Sequence, residues 1–190
     1  HDILFVKDAV DMNMKLVEKG MNEKKGLGVG YGMHILVDKG FLPNNLVSKV
    51  CYSVSSASDA RMGGLGTSAM TLMGSGNQGI AAIVPVAVVG KEIDAPEEKI
   101  IKAVALSCLI TIYIKEWSGR LSPLCGAAIA GAGASAGITW LLGGDKKAVE
   151  GAIKNMCGDV MGVVCDGAKE GCSLKLRSCA ESAMISSYLA

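Results

Sequence analysis

Two long stretches without a charged side chain constrain the fold most, because such stretches must be covered by protein or by lipid. They span residues 62–90 and 121–144, and the second consists mostly of Gly, Ala and Ser. Glycines and Pro85 interrupt the first stretch, and no belts of Trp and Tyr flank either one. Small residues at this density suit helices whose backbones pack closely. We therefore predict buried helices and no membrane span.

Helical periodicity continues through the rest of the chain. Apolar residues recur at helical spacing from Ile3 to Val17, and Gly20 is predicted to end this helix. Asp94 to Glu98 has the Pro and acidic residues of a helix start. Alternating strand patterns bounded by turns are not found. The sequence predicts a mainly α protein in which residues 1–190 form a single compact helical domain with Gly-rich turns.

Composition excludes one function class and indicates a compartment. The chain has 19 Lys plus Arg, 18 Asp plus Glu and only 4% aromatic residues, which argues against nucleic-acid binding. The odd number of cysteines, seven, favours reduced thiols or metal ligands and hence the cytoplasm. No targeting signal is visible. Because the sequence begins with His1 rather than Met, we expect a fragment of a longer chain.

A Gly-rich segment is the first candidate binding site. Residues 74–79 match the spacing of the dinucleotide fingerprint, but no βαβ unit surrounds them. The segment could cradle a carboxylate or phosphate at a helix N-terminus, or it could be a tight turn. Asp59 and Arg61 lie upstream, where Arg61 could clamp a carboxylate or join a local ion pair. The candidate substrate-binding residues are therefore Ser75, Gly76, Asn77, Gln78, Gly79, Asp59 and Arg61.

The cysteines are the second candidate site. Cys165 and Cys172 are seven positions apart, Cys125 lies forty residues earlier, and there is no Cys-x-x-Cys pair. Thiolates from two loops could hold an iron–sulfur cluster. Alternatively the thiols are small buried hydrophobes, as we expect for Cys51, Cys108 and Cys157. Cys179 is a rival fourth ligand.

Five motifs together resemble one family, the L-cysteine desulfidases and the related proteins of the serine-dehydratase alpha-chain type. The motifs are SDARMGG (58–64), GSGNQGI (74–80), GRLSPLCG (119–126), AGAGASAGI (130–138) and CDGAKEGCSLK (165–175). The resemblance implies a fold similar to the alpha domain of iron–sulfur serine dehydratases. It also implies an oxygen-sensitive 4Fe-4S cluster held by Cys125, Cys165 and Cys172, without Cys179 and without pyridoxal phosphate.

The resemblance further implies a lyase. An open iron of the cluster would act as a Lewis acid in the β-elimination of sulfide from L-cysteine, or of water from L-serine, giving pyruvate and ammonia. The Gly-rich loop would then cradle the amino-acid substrate, and Lys169 would either offset the cluster charge or face water.

Family members are about twice as long as this chain, and their N-terminal half carries a Gly-Cys-Thr-Glu-Pro-like motif that is absent here. The catalytic residues are therefore expected in that half, which would be a partner of this chain, and the chain alone is expected to be inactive. A homodimer would be unsurprising, and oxidation would remove the cluster. The competing hypothesis is a non-catalytic helical domain that is structural or binds a small molecule and whose cysteines have no ligand.

Overall fold

The described residues, 3–119 and 121–190 of a computed structural model, form eight helices. In chain order these are α1 (Phe5–Glu23), α2 (Val29–Asp38), α3 (Leu46–Met62), α4 (Gly76–Glu92), α5 (Glu97–Ser118), α6 (Gly126–Leu141), α7 (Lys146–Asp159) and α8 (Cys172–Tyr188). Within those residues the only extended pairings are two isolated bridges. The mainly α fold class is thereby confirmed.

Helices α4 and α6 form the centre, and both come from the charge-free stretches. Almost every residue of each helix is buried, and α6 packs against α4, α5, α7 and α8. Glycines make this packing possible: a Cβ on Gly131 would lie 2.6 Å from the Met156 methyl group. The prediction of buried helices is confirmed. None of the described helices combines the length and the hydropathy needed to cross a bilayer.

Helix α5 runs antiparallel to both central helices, and four contacts fix its register. The Ser107 hydroxyl donates to Ala82 O of α4 at 2.7 Å, and Gly90, further along α4, packs against Ile100 near the start of α5. Gly137 of α6 faces the Ala103 carbonyl, and Gly133, one turn nearer the start of α6, faces the Ser107 carbonyl. Moving towards the C-terminus of α5 therefore means moving towards the N-termini of α4 and α6.

The prediction for the end of the first helix is wrong. Helix α1 continues through Gly20 to Glu23. Gly20 is buried against the Ser56 backbone of α3, and a Cβ there would overlap the Ser56 carbonyl oxygen. The glycine therefore permits the close approach of two helices and does not end one. In the same way, Pro85 lies inside α4 without ending it.

Candidate functional site

Two loops pair with each other and bring Cys125 and Cys165 to one place. The Cys125 N–H donates to Val163 O at 2.9 Å, and the Cys165 N–H donates to Pro123 O at 2.7 Å. These bonds flank the antiparallel bridge between Leu124 and Val164. Because side chains alternate along extended backbone, the two cysteines share one face of the pairing.

Cys172, the third predicted ligand, begins α8. Its Sγ lies 3.5 Å from the Lys169 backbone nitrogen and 3.8 Å from Gly167 O, so the 165–172 loop folds back over this thiol. Cys125 similarly precedes α6 as its N-cap residue. Helix N-termini favour thiolates, since their N–H groups carry partial positive charge.

Electrostatics show that these thiols are neighbours. Burial raises the pKa of the Cys125 thiol and the charge of Cys165 adds to this, while the Ala127 N–H and the Lys175 ammonium lower it. Cys172 lies close enough to Lys175 to raise the pKa of that ammonium, although the Asp166 carboxylate raises it more. The structure therefore brings the three predicted cysteines together around Lys175.

The described residues form no ready site for a single metal ion, because no group of three or more His, Cys, Asp and Glu side chains is arranged to hold one. Cys125 and Cys165 are diagonal neighbours across the pairing of the two loops, and Cys172 begins the helix that follows the second loop. Three cysteine thiolates are a donor set that suits iron–sulfur clusters, and helix N-termini favour the thiolate form of Cys125 and Cys172.

The remaining cysteines lie elsewhere or are buried. Burial raises the pKa of the Cys51 and Cys179 thiols to about 12 and that of Cys108 to about 11. Cys179 packs against Gly131 and is 1% exposed, which suits a core residue better than a fourth ligand. The expectation that Cys157 is buried is wrong, because it is exposed near the end of α7.

The Gly-rich segment forms the N-terminus of α4. Ser75 is the N-cap residue, and its hydroxyl accepts from the Gln78 N–H at 3.2 Å. Gly76 is covered by the Arg61 guanidinium, and Gly79 packs against the Met70 carbonyl. Asn77 is buried beside Ser58, with their side-chain oxygens 3.5 Å apart. Much of the predicted cradle is therefore covered by protein, and its accessible part is Gly74 with Ser75.

Gln78 connects this segment to the cysteine loops. Its side chain is 1% exposed and lies against Gly126, the residue after Cys125, where a Cβ would be 2.8 Å from Gln78 Oε1. Its Nε2 has no hydrogen-bond partner among the described residues. The α4 and α6 N-termini therefore meet here, with a buried donor left unpaired between them.

Asp59 is buried completely and forms no ion pair with Arg61 among the described residues, so the alternative of a local ion pair between these two residues is wrong. Its Oδ2 accepts from the Gly30 N–H at 2.9 Å. Burial raises the pKa of this carboxyl, and the hydrogen bonds from Gly30 and its neighbours only partly offset that effect. Ser173 lies near this carboxylate and also lowers its pKa, but the Ser173 hydroxyl donates to Glu170 O at 3.0 Å. Among the described residues, Oδ1 therefore has no donor.

Lys175 is the residue that the sequence analysis missed. Its ammonium donates to Val164 O at 2.9 Å and forms an ion pair with Asp166, so it holds both residues that flank Cys165. The signal was its spacing, one helical turn after Cys172 on α8. Lys169, by contrast, pairs with Asp166 within the loop and is 54% exposed.

The described residues define an all-helical protein in which three cysteines lie close to the N-termini of two helices. Residues 1–190 match the serine dehydratase alpha chain family throughout. The chain belongs to that family, which confirms the resemblance seen in the motifs.

Curated relatives cover the chain but extend well beyond it. It is 45% identical over 190 residues to a UPF0597 protein of Clostridioides difficile and 46% identical over 189 residues to one of Photobacterium profundum. A UPF0597 protein of Alkaliphilus metalliredigens is 43% identical over 190 residues. Each alignment covers all of this chain but only 42–44% of the relative, so the chain spans less than half of their length. No solved structure matches the chain.

Proposed function

We propose that this chain is the cluster-binding part of an iron–sulfur-dependent lyase. The reaction is β-elimination of sulfide from L-cysteine, or of water from L-serine, to give pyruvate and ammonia. The observation that carries the proposal is the pairing of the loops that contain Cys125 and Cys165, with Cys172 at the start of the following helix, in a chain of the serine dehydratase alpha chain family. The free state of all seven cysteines supports a reducing compartment such as the cytoplasm.

The three thiolates would hold a 4Fe-4S cluster, which when bound supplies a Lewis-acidic iron that activates the leaving group on the β-carbon. The chain's own residues act around that position. The N-termini of α6 and α8 and the Lys175 ammonium stabilise the negative charge of the thiolates. The buried Gln78 fixes the distance between the α4 N-terminus and the cysteine loops.

The part of the relatives that this chain does not span is proposed to supply the remaining catalytic groups, including the base that removes the α-proton. We therefore expect lyase activity only from the longer protein that contains this chain. The chain by itself is expected to bind iron.

Anaerobic reconstitution with iron and sulfide tests the proposal on the chain directly. We expect the wild-type chain to gain the visible absorbance and iron content of a cluster and the Cys165→Ala variant to lose both. Cys157→Ala is the matched control, because Cys157 is also exposed but lies on α7. Assays of the longer protein with each amino acid separately then identify the substrate, as sulfide with pyruvate from L-cysteine or pyruvate alone from L-serine. A chain that binds no iron under these conditions refutes the proposal and favours a domain whose thiols have no ligand.

A further inference from the structure

Lys115, near the end of α5, has a side chain that is mostly covered by protein, and the described residues offer its ammonium no partner. Its residue is only 6% exposed, yet the described residues give its ammonium no hydrogen bond and no ion pair. A lysine can have its aliphatic stem covered by protein while its charged end stays accessible, so the ammonium remains free to bind a ligand. The side chain lines a cleft of about 420 Å³ that opens to solvent, together with Met73, Gly74 and Glu116.

The register of the three helices places Lys115 beside two helix N-termini. Ser107 of α5 contacts Ala82 of α4. Lys115 lies two turns after Ser107 on α5, and Ser75 lies two turns before Ala82 on α4. Because the helices are antiparallel, Lys115 and Ser75 lie at the same level. Gly133 of α6 contacts Ser107, and two turns before Gly133 is the start of α6, next to Cys125. Lys115 therefore lies at the level of this helix start as well. The ammonium therefore adds to the positive ends of α4 and α6.

This arrangement favours an anion in the cleft. An ammonium and the N–H groups at the start of α4 attract negative charge, and no carboxylate of the described residues pairs with Lys115. Glu116 lines the same cleft and is exposed, so it offers the opposite charge to a ligand that carries both. A small molecule with an adjacent carboxylate and ammonium matches this pair of side chains better than a simple anion does.

We propose that the cleft at Gly74 and Lys115 is an amino-acid subsite in which the Lys115 ammonium binds the substrate carboxylate. The assignment as a substrate site rests on the proposed function. The subsite itself needs neither the cluster nor the part of the relatives that this chain does not span, so it can be tested on the chain alone.

The test follows the amide signals of Gly74, Ser75 and Gly76 by NMR while L-serine is added. We expect these signals to shift with L-serine, and L-serinamide, which lacks the carboxylate, to bind about tenfold more weakly or worse, as loss of a charge-assisted hydrogen bond implies. This comparison uses the wild-type chain only and does not depend on whether a variant folds.

Variants assign the effect to the lysine. Lys115→Met is expected to weaken L-serine binding about tenfold, and Lys115→Arg to retain most of it, because a guanidinium also binds carboxylates. Lys102→Met is the matched control, since Lys102 lies on the same helix and pairs with Glu98 at the surface. L-serine should also raise the melting temperature of the wild-type chain but not that of Lys115→Met.

Any of four results would overturn the subsite. These are no L-serine binding by the wild-type chain, equal binding of L-serine and L-serinamide, unchanged binding by Lys115→Met, and tighter binding of inorganic phosphate than of L-serine. The iron content of the same samples keeps the two proposals apart. A chain that binds L-serine through Lys115 but takes up no iron contradicts the lyase and leaves the amino-acid subsite standing.

Discussion

Replacing Gly137 with Ala tests whether glycine sets the distance between the central helices. Gly137 lies inside α6, and a Cβ there would be 2.7 Å from Ala103 O and 3.1 Å from both Ser107 Cβ and Val86 Cγ2. Ordinary contacts lie at about 3.5 Å, so α5 would have to move by about 0.8 Å. A backbone carbonyl cannot rotate away as a side chain can. The added Cβ would also contact α5 and α4 at the same time.

The expected loss of stability follows from two opposing contributions. Overpacking a core costs about 1–3 kcal/mol, and we expect about 2–3 kcal/mol here because backbone is involved. The better helix propensity of Ala returns about 1 kcal/mol. The net loss of about 1–2 kcal/mol corresponds to a melting temperature about 2–8 °C lower for a domain of this size.

Gly32→Ala is the matched control, because Gly32 lies inside α2 and a Cβ there meets nothing within 4 Å. We expect this variant to be more stable by about 0.5–1 kcal/mol from helix propensity alone. Thermal unfolding followed by circular dichroism compares both variants with the wild-type chain. If Gly137→Ala melts at or above the wild-type temperature, close packing is not what the glycine provides, and the inferred register of α5 loses its main support.

Three further predictions concern the site. Lys175→Met should accelerate hydrogen exchange of residues 163–166 about tenfold, whereas Lys169→Met should change it little; equal effects would contradict the role of Lys175 in holding the loop. Burial raises the folded-state pKa of the Asp59 carboxyl, so the stability of the wild-type chain falls as the pH rises through that pKa. Asp59→Asn should therefore be more stable than the wild-type chain at neutral pH and equally stable in acid. Iodoacetamide at pH 8 should modify exposed Cys165 much faster than Cys179, whose thiol pKa is about 12; mass spectrometry of the labelled peptides would reveal the opposite order.

The fold could be predicted well because its strongest constraint is local. A charge-free run of Gly, Ala and Ser has few ways to satisfy its backbone other than a buried helix, and α6 follows directly from it. The error at Gly20 has a physical cause. Glycine ends helices by adopting positive φ and permits close helix packing by lacking a Cβ, and the sequence alone does not distinguish these two uses. The close approach of Ser56 explains the glycine at position 20, and Ser56 lies far from Gly20 in the sequence.

The candidate site could be predicted only where its residues belong to motifs. Cys125, Cys165 and Cys172 stand in recognisable segments, and the structure brings them together. Lys115 has no such signal, because a lysine near the end of a helix is usually solvated. Its burial depends on how α4 and α6 pack against α5, and that register is set by contacts between distant parts of the chain.

Two of the three buried side-chain atoms that have no hydrogen bond among the described residues lie near the cysteines: Gln78 Nε2 and Asp59 Oδ1, while the third, Asn13 Nδ2, lies on α1. Each of these atoms costs stability, because a buried polar group without a partner is not compensated for its lost hydration. Gln78 lies where the N-termini of α4 and α6 meet, and Asp59 lies near Ser173, the residue after Cys172. The opposite ends of these helices contain no such group among the described residues. Unpaired groups that gather at the end where the cysteines meet are what a binding site requires, since a ligand can be held only by donors and charges that the protein has not already used.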